Sequence, residues 1–358
     1  MLMRWDIFCQ IVDNYGDAGV CWRLARSLSS LHGQEVRIFC DDLPTLNLLA
    51  SGVDPRIKEK IDIQPWEASH ENVRHPVKVP DVVVEAFGCE LPERYLTNLF
   101  IAPIKPIIIN LEYLSAEPWV SEFHGKASPQ SHGIPKYFFF PGFQDDVGGL
   151  LLDPIPPIGS LVENQIPKDL QALWSTLRPN AKRISIFCYP GAPLRKWLSD
   201  LAALGENVDI LLAHGHAEQL NLYGEQPIEL PNNLKLFSMP FVSQDEYDWV
   251  LSQCDFNIVR GEDSFIRAQL AGKPFIWHIY PQEDRAHEVK LAAFLDLYLS
   301  DASQDLKLAT IAAMTWAMPS DWFNSLQIWN KHAQAWRTHL LEKQGDGGLA
   351  ARLVRFIA

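Results

Sequence analysis

The chain has 358 residues, 47% of them hydrophobic and 21% charged, with a formal net charge of −13. That length supports two hydrophobic cores, since single domains mostly run about 100–200 residues, and the composition excludes a disordered or low-complexity chain. The acidic balance disfavours a nonspecific nucleic-acid binder, whose phosphate contacts come from Lys and Arg, so no nucleic-acid partner is expected.

The opening residues, MLMRWDIFCQIV, lack the basic region, long apolar stretch and small-residue cleavage site of a signal peptide. No apolar run approaches the roughly 18–20 residues that span a bilayer. A cytoplasmic protein with no membrane partner is expected. The six cysteines, Cys9, Cys21, Cys40, Cys89, Cys188 and Cys254, form no CxxC pair and read as buried free thiols.

In chain order, WDIFCQIV (5–12) predicts a buried strand. VCWRLARSLSSLHG (20–33) predicts a helix with Val20, Leu24, Leu28 and Leu31 on one face and Gly33 ending it. EVRIFC (35–40), DVVVEAF (81–87) and PIIINLEYL (106–114) are further strand candidates. Apolar runs without alternation, separated by helices, imply a parallel sheet covered on both faces. Residues 125–160 are rich in Pro, Gly and Ser and predict a long ordered excursion, then an interdomain linker near 154–168.

A second α/β series follows: RISIFCY (183–189), NVDILLA (207–213), LKLFSM (234–239), DFNIV (255–259) and PFIWHIY (274–280). Two successive series of this kind predict two Rossmann-like domains, residues 1–160 and 168–335, with a terminal helix at about 336–358 returning to the first. Open α/β sheets bind ligands beyond the C-terminal ends of their strands, so the expected site is a cleft where the ends of the two sheets face each other.

In the second domain, the turn RGEDS (260–264) joins a strand to a helix. Asp263 or Ser264 is expected to cap that helix, leaving first-turn N–H groups able to attract phosphate, with Arg260 holding two phosphate oxygens at once. PFVSQDEYD (240–248) ends the preceding strand. From it, Phe241 is placed to stack on a base and Gln244 to bond its polar edge, and Tyr189 ends the first strand of the domain. Aromatic faces beside a phosphate anchor suit a nucleotide diphosphate. No GxxxxGK[ST] or GxGxxG motif occurs there, against a P-loop NTPase or a dinucleotide dehydrogenase.

The first domain carries the opposite charge. DNYGD (13–17) sets Asp13 and Asp17 after the first strand, with Asn14 and Tyr15 between them and Gly16 and Gly19 permitting a tight backbone. Carboxylates there are wrong for holding a diphosphate and right for holding a cationic or proton-losing acceptor. Asp17, near a helix start, is favoured as an anion by the helix dipole.

DNYGDAGVCWRLARSL, FFFPGFQDDVGGLL (138–151), PFVSQDEYD and RGEDSFIRAQLAGKPFIWHIYPQ (260–282) closely resemble the bacterial protein-arginine rhamnosyltransferases that modify elongation factor P, in order and nearly end to end. The resemblance implies a GT-B fold, a dTDP-β-L-rhamnose donor, and inverting transfer to one arginine of elongation factor P without a metal or other cofactor. Carried over residue by residue, it makes Asp17 the general base and Asp13 its partner in gripping the guanidinium. Glu262 acts near the sugar. Arg260, Asp263 and Ser264 bind the diphosphate, and Phe241, Gln244, Tyr189 and Tyr280 line the thymine and ribose site.

Independently of the resemblance, no DxD pair stands beside the expected diphosphate site. Asp41–Asp42 and Asp145–Asp146 read as solvated turns, and HGH (214–216) lacks third and fourth ligands. Two other functions fit the residues alone: a GT-B transferase acting on a small molecule or glycan, and a nucleotide-sugar-binding module without catalysis, against which the carboxylates at 13, 17 and 262 argue.

Overall fold

Strands that are apolar along their whole length need cover on both faces, and both halves of the chain supply it. The computed structural model describes residues 2–12, 15–51, 55–70, 79–131, 133–152, 166–219, 230–319, 321–345 and 347–358. It divides into two units, Met1–Ile155 with Leu341–Ala358, and Pro156–Leu340. The expected linker near 154–168 falls largely outside the described residues.

In the first unit, strands Arg4–Cys9 (β1), Glu35–Cys40 (β2), Ile61–Pro65 (β3), Val82–Ala86 (β4), Ile107–Leu111 (β5) and Lys136–Phe139 (β6) form one parallel sheet. Its order is β3, β2, β1, β4, β5, β6. Trp5, Ile7, Phe8 and Cys9 of the central β1 are fully buried, each large apolar side chain contributing about 1.5–3 kcal/mol. The two edge strands, β3 and β6, fall where none was expected, and β6 lies inside the Pro-, Gly- and Ser-rich excursion.

The first helix spans Tyr15–His32 and so begins five residues before the predicted start. Val20, Leu24 and Leu28 are buried as expected, whereas Leu31, in the last turn, is 49% exposed. Gly33 follows it at φ +63°, the left-handed conformation that ends helices and suits glycine.

In the second unit, Lys182–Ile186 (β7), Val208–Leu212 (β8), Leu234–Ser238 (β9), Phe256–Arg260 (β10) and Phe275–His278 (β11) form a parallel sheet of order β11, β10, β7, β8, β9. All five were expected. Four of them stop short of the predicted end, leaving Phe187–Tyr189, Ala213, Met239 and Ile279–Tyr280 beyond the sheet, and β10 runs one residue further to include Arg260. The helical C-terminal pattern resolves into two helices, Trp322–Lys343 and Gly348–Ile357, with the boundary between units inside the first. Within the second unit, the Trp336 indole N–H donates to Gln269 Oε1 at 2.8 Å and Arg337 Nε to Leu270 O at 2.5 Å, which fixes helix Glu262–Leu270. Within the first, Leu349 N–H donates to Leu150 O at 2.7 Å and Arg352 Nη1 to Val147 O at 2.7 Å, which fixes the loop after β6.

All six cysteines are buried and free. Among the described residues, no helix is long and apolar enough to cross a membrane.

Candidate active site

Strand order reverses direction at one place in each sheet, between β1 and β4 in the first unit and between β7 and β10 in the second. Such switch points open a crevice at the C-terminal strand ends where doubly wound sheets bind ligands. Asp17 follows β1 at the first of these points, and Tyr189 and Arg260 stand at the ends of β7 and β10 at the second.

In the first unit, Asp17 stands in the first helical turn and is 4% exposed. Its Oδ2 accepts the Val12 N–H at 2.9 Å. Asp41, exposed in a bend as expected of a solvated turn residue, accepts the Ile11 N–H at 3.0 Å. Its neighbour Asp42 caps helix Leu43–Leu49 by accepting the Thr45 N–H at 3.1 Å. Two carboxylates therefore hold the backbone that leads from β1 to the helix. Gly16 and Gly19, expected in a tight turn, lie within the helix because it starts at Tyr15, itself half-buried. Asp13 and Asn14 lie outside the described residues.

In the second unit, Arg260 ends β10, buried with 5% exposure. Its guanidinium carbon lies 4.3 Å from the centroid of the Phe187 ring and 4.9 Å from that of Tyr189, and Nη1 donates weakly to Cys188 O at 3.4 Å. Among the described residues, no carboxylate forms an ion pair with it.

The helix that follows is capped by Gly261 at φ +64° and ψ −175°, with no side-chain cap hydrogen bond. The expected caps, Asp263 and Ser264, instead lie inside the first turn of the helix. Only glycine adopts this extended positive-φ backbone readily, and with it the helix begins immediately after the strand. The Trp277 indole N–H holds the turn by donating to Gly261 O at 3.0 Å. Gly261→Ala is expected to cost about 1–3 kcal/mol of stability, measurable as a lower midpoint in urea.

Glu262 pairs with Lys290, Nζ to Oε1 at 2.7 Å. Asp263 Oδ2 accepts from Gln244 Nε2 at 3.1 Å, so Gln244 is held against the helix start, its own helix capped by Ser243 and Glu246. Ser264 occupies the same first turn. The exposed Tyr280 ring meets Tyr189 edge to face at 5.2 Å. Phe241 stands edge-on to His214 at 6.1 Å. The structure thus sets Arg260 over Tyr189 and Tyr189 against Tyr280, ties Gln244 to Asp263, and gives Glu262 a cationic partner.

Sequence reading missed Lys290, 28 positions from its partner with no local signal. It also missed Phe187, although alternation along FCY sets residues 187 and 189 on one face. His278, which directly follows the run FIW in the sequence, was passed over as strand. Its Nδ1 accepts the Tyr189 N–H at 3.0 Å, and burial together with the nearby Arg260 charge lowers its pKa to about 4.

In the first unit, His124 Nδ1 accepts the Phe140 N–H at 3.1 Å, and burial likewise lowers its pKa to about 4. An unfolded histidine titrates near about 6.5. Between that value and about 4 the unfolded chain binds protons that the folded chain does not, so stability is full above the unfolded value and falls with pH across this window. Urea midpoints should drop from neutral pH toward pH 4, and the pair His124→Asn with His278→Asn, which keeps an acceptor at each Nδ1 position, should flatten the slope.

Among the described residues, no group of three or more His, Cys, Asp or Glu is arranged to hold a metal ion.

The chain matches the family model of the Elongation-Factor P (EF-P) rhamnosyltransferase EarP over residues 5–358. A protein-arginine rhamnosyltransferase of Pseudomonas putida is 40% identical over 384 aligned positions, covering 99% of this chain and 99% of the relative. A solved structure described as the structural basis for EarP-mediated arginine glycosylation of translation elongation factor EF-P is similar at TM-score 0.63 and 30% identity, covering 99% of this chain and 98% of the other. A spinosyn forosaminyltransferase, at TM-score 0.53 and 13% identity with full coverage of both chains, shares the fold alone. With two parallel α/β sheets and these neighbours, the fold is GT-B, and the chain belongs to the EarP family of EF-P rhamnosyltransferases.

Proposed function

We propose that this protein moves rhamnose from dTDP-β-L-rhamnose to one arginine side chain of EF-P, inverting the anomeric centre and using no metal ion, with the second unit holding the donor and the first the acceptor. One observation carries the donor half: a buried guanidinium, Arg260, has no carboxylate partner among the described residues and ends a strand beside a helix start without a side-chain cap. A buried charge left without a counter-ion is costly. A diphosphate supplies that counter-charge, with oxygens for both the guanidinium and the first-turn N–H groups of Asp263 and Ser264. Tyr189, Tyr280, Phe241 and Gln244 are the residues proposed to line the thymine and ribose.

The acceptor half follows from the chemistry of arginine. Its guanidinium is planar, delocalised and protonated, with a pKa above about 12. A carboxylate near 4 cannot remove that proton beforehand. It can take it as the N–C bond forms, because the attacking nitrogen then leaves conjugation and becomes strongly acidic. The site therefore needs carboxylates that hold the guanidinium so that one nitrogen is in line with the leaving phosphate. Asp17 is proposed as that base, and Asp13 as its partner. The bond from the anomeric carbon to the phosphate oxygen breaks as the bond to nitrogen forms, the proton passes to Asp17, and negative charge builds on the β-phosphate. Arg260 and the helix start stabilise that charge as fixed groups that need no reorganisation. Glu262, oriented by Lys290, is proposed to act on the sugar near the reacting carbon.

The test is product analysis: EF-P incubated with the protein and dTDP-β-L-rhamnose in excess EDTA, with the linkage read by NMR. The expected product is an α-linked rhamnosyl-arginine formed at an undiminished rate. A β-linked product would exclude single inversion, and loss of activity restored by a divalent cation would exclude metal independence.

A further inference from the structure

Strand β7 leaves its sheet in an unusual way. Phe187 N–H still bonds to Ile258 O of β10 at 2.8 Å, but the next two amides find imidazoles. Cys188 N–H donates to His216 Nε2 at 3.1 Å, and Tyr189 N–H donates to His278 Nδ1 at 3.0 Å. The two histidines come from opposite sides of β7. His216 follows β8 and is 1% exposed, and His278 ends β11 as the register partner of Arg260. The three residues so fixed are those that touch Arg260, through the rings of Phe187 and Tyr189 and the carbonyl of Cys188.

An imidazolium has no lone pair, so each histidine performs this task only when neutral, with its proton on the other nitrogen. Burial and the Arg260 charge hold His278 in that form at neutral pH. A guanidinium held over aromatic rings keeps the N–H donors in its own plane free for an anion, but their direction is set by where the rings sit. Here that depends on two backbone bonds.

We propose that His216 and His278 are positioning residues for the nucleotide-diphosphate donor: as neutral acceptors they lock the Phe187–Tyr189 turn and thereby aim the Arg260 guanidinium. This rests on the donor reading of Arg260 given above.

The two positions use different ring nitrogens, which makes the test specific. Asparagine places an acceptor where Nδ1 was, and glutamine where Nε2 was. At position 278, His278→Asn should therefore bind dTDP within a few-fold of the unaltered protein, whereas His278→Gln should weaken it by about tenfold, the loss of one hydrogen bond to a buried group. At position 216 the order should reverse, with His216→Gln tolerated and His216→Asn impaired. Donor KM should follow dTDP affinity, while the KM for the acceptor protein stays constant. In an Arg260→Met background all four changes should lose their effect on residual nucleotide affinity, because sites acting through one residue are not additive.

Titration calorimetry of the full chain with dTDP decides the matter. Indifference to all four variants, the same order at both positions, or undiminished effects without Arg260 would each overturn the proposal while leaving the donor site standing. Absence of dTDP binding by the unaltered protein would refute the donor reading and the clamp with it.

Discussion

Replacing Asp17 with asparagine is expected to abolish arginine rhamnosylation while leaving dTDP affinity within a few-fold. The change removes one negative charge and the proton-accepting function proposed for this residue. The asparagine side chain would retain an oxygen able to accept the Val12 N–H that Asp17 Oδ2 accepts at 2.9 Å, so the connection from β1 into the helix is preserved. General base catalysis contributes about 10²–10⁴ in rate, and loss of the grip on a cationic acceptor adds to that. Single-turnover rates with saturating donor measure the loss, and calorimetry with dTDP measures what is kept.

The second large effect is the mirror of the first. Arg260→Met should weaken dTDP binding by about 2–5 kcal/mol, a factor of at least roughly 30, as expected when one partner of a buried, hydrogen-bonded charge pair is removed. The same substitution should leave the ligand-free protein as stable as before or more so. Arg260 is 5% exposed and has no carboxylate partner among the described residues, so an apolar side chain of similar length relieves a desolvation cost. Loss of binding together with gain of stability marks a residue held for function. Should Asp17→Asn lose the nucleotide and Arg260→Met keep it, the roles assigned to the two units would be reversed.

Much of the fold was legible because parallel strands buried on both faces write themselves as unbroken apolar runs. β1, β2, β4, β5 and the five strands of the second sheet all fall where VDILL, IIINL and their like stand. The edge strands of the first sheet do not. β3 and β6 have one neighbour each, and IDIQP and KYFF carry no long apolar run, because an edge position does not require one. Helix ends were misplaced for a related reason. Gly261 caps by backbone conformation alone, whereas a side chain of the Ser, Asp or Asn kind was sought there, and Tyr15–Gly19 are helical despite two glycines because tertiary packing outweighs propensity.

The candidate site was legible as residue types at strand ends and illegible as pairs. That Arg260 and Asp17 stand at switch points follows from strand order, which the α/β alternation implies. That Lys290 meets Glu262, that Gln244 meets Asp263, and that two histidines hold the turn beneath Arg260 depend on contacts between distant segments, which no local pattern encodes.

The central claim, that this chain transfers a deoxysugar to an arginine of EF-P with Asp17 as base, is tested most directly by intact-protein mass spectrometry. Purified EF-P is incubated with dTDP-β-L-rhamnose and either the unaltered protein or Asp17→Asn. A gain of one deoxyhexose that maps to an arginine and is absent with the variant is the predicted result. An unmodified EF-P in both reactions, from a protein that still binds dTDP, would contradict the acceptor assignment, and equal modification in both would contradict the role of Asp17.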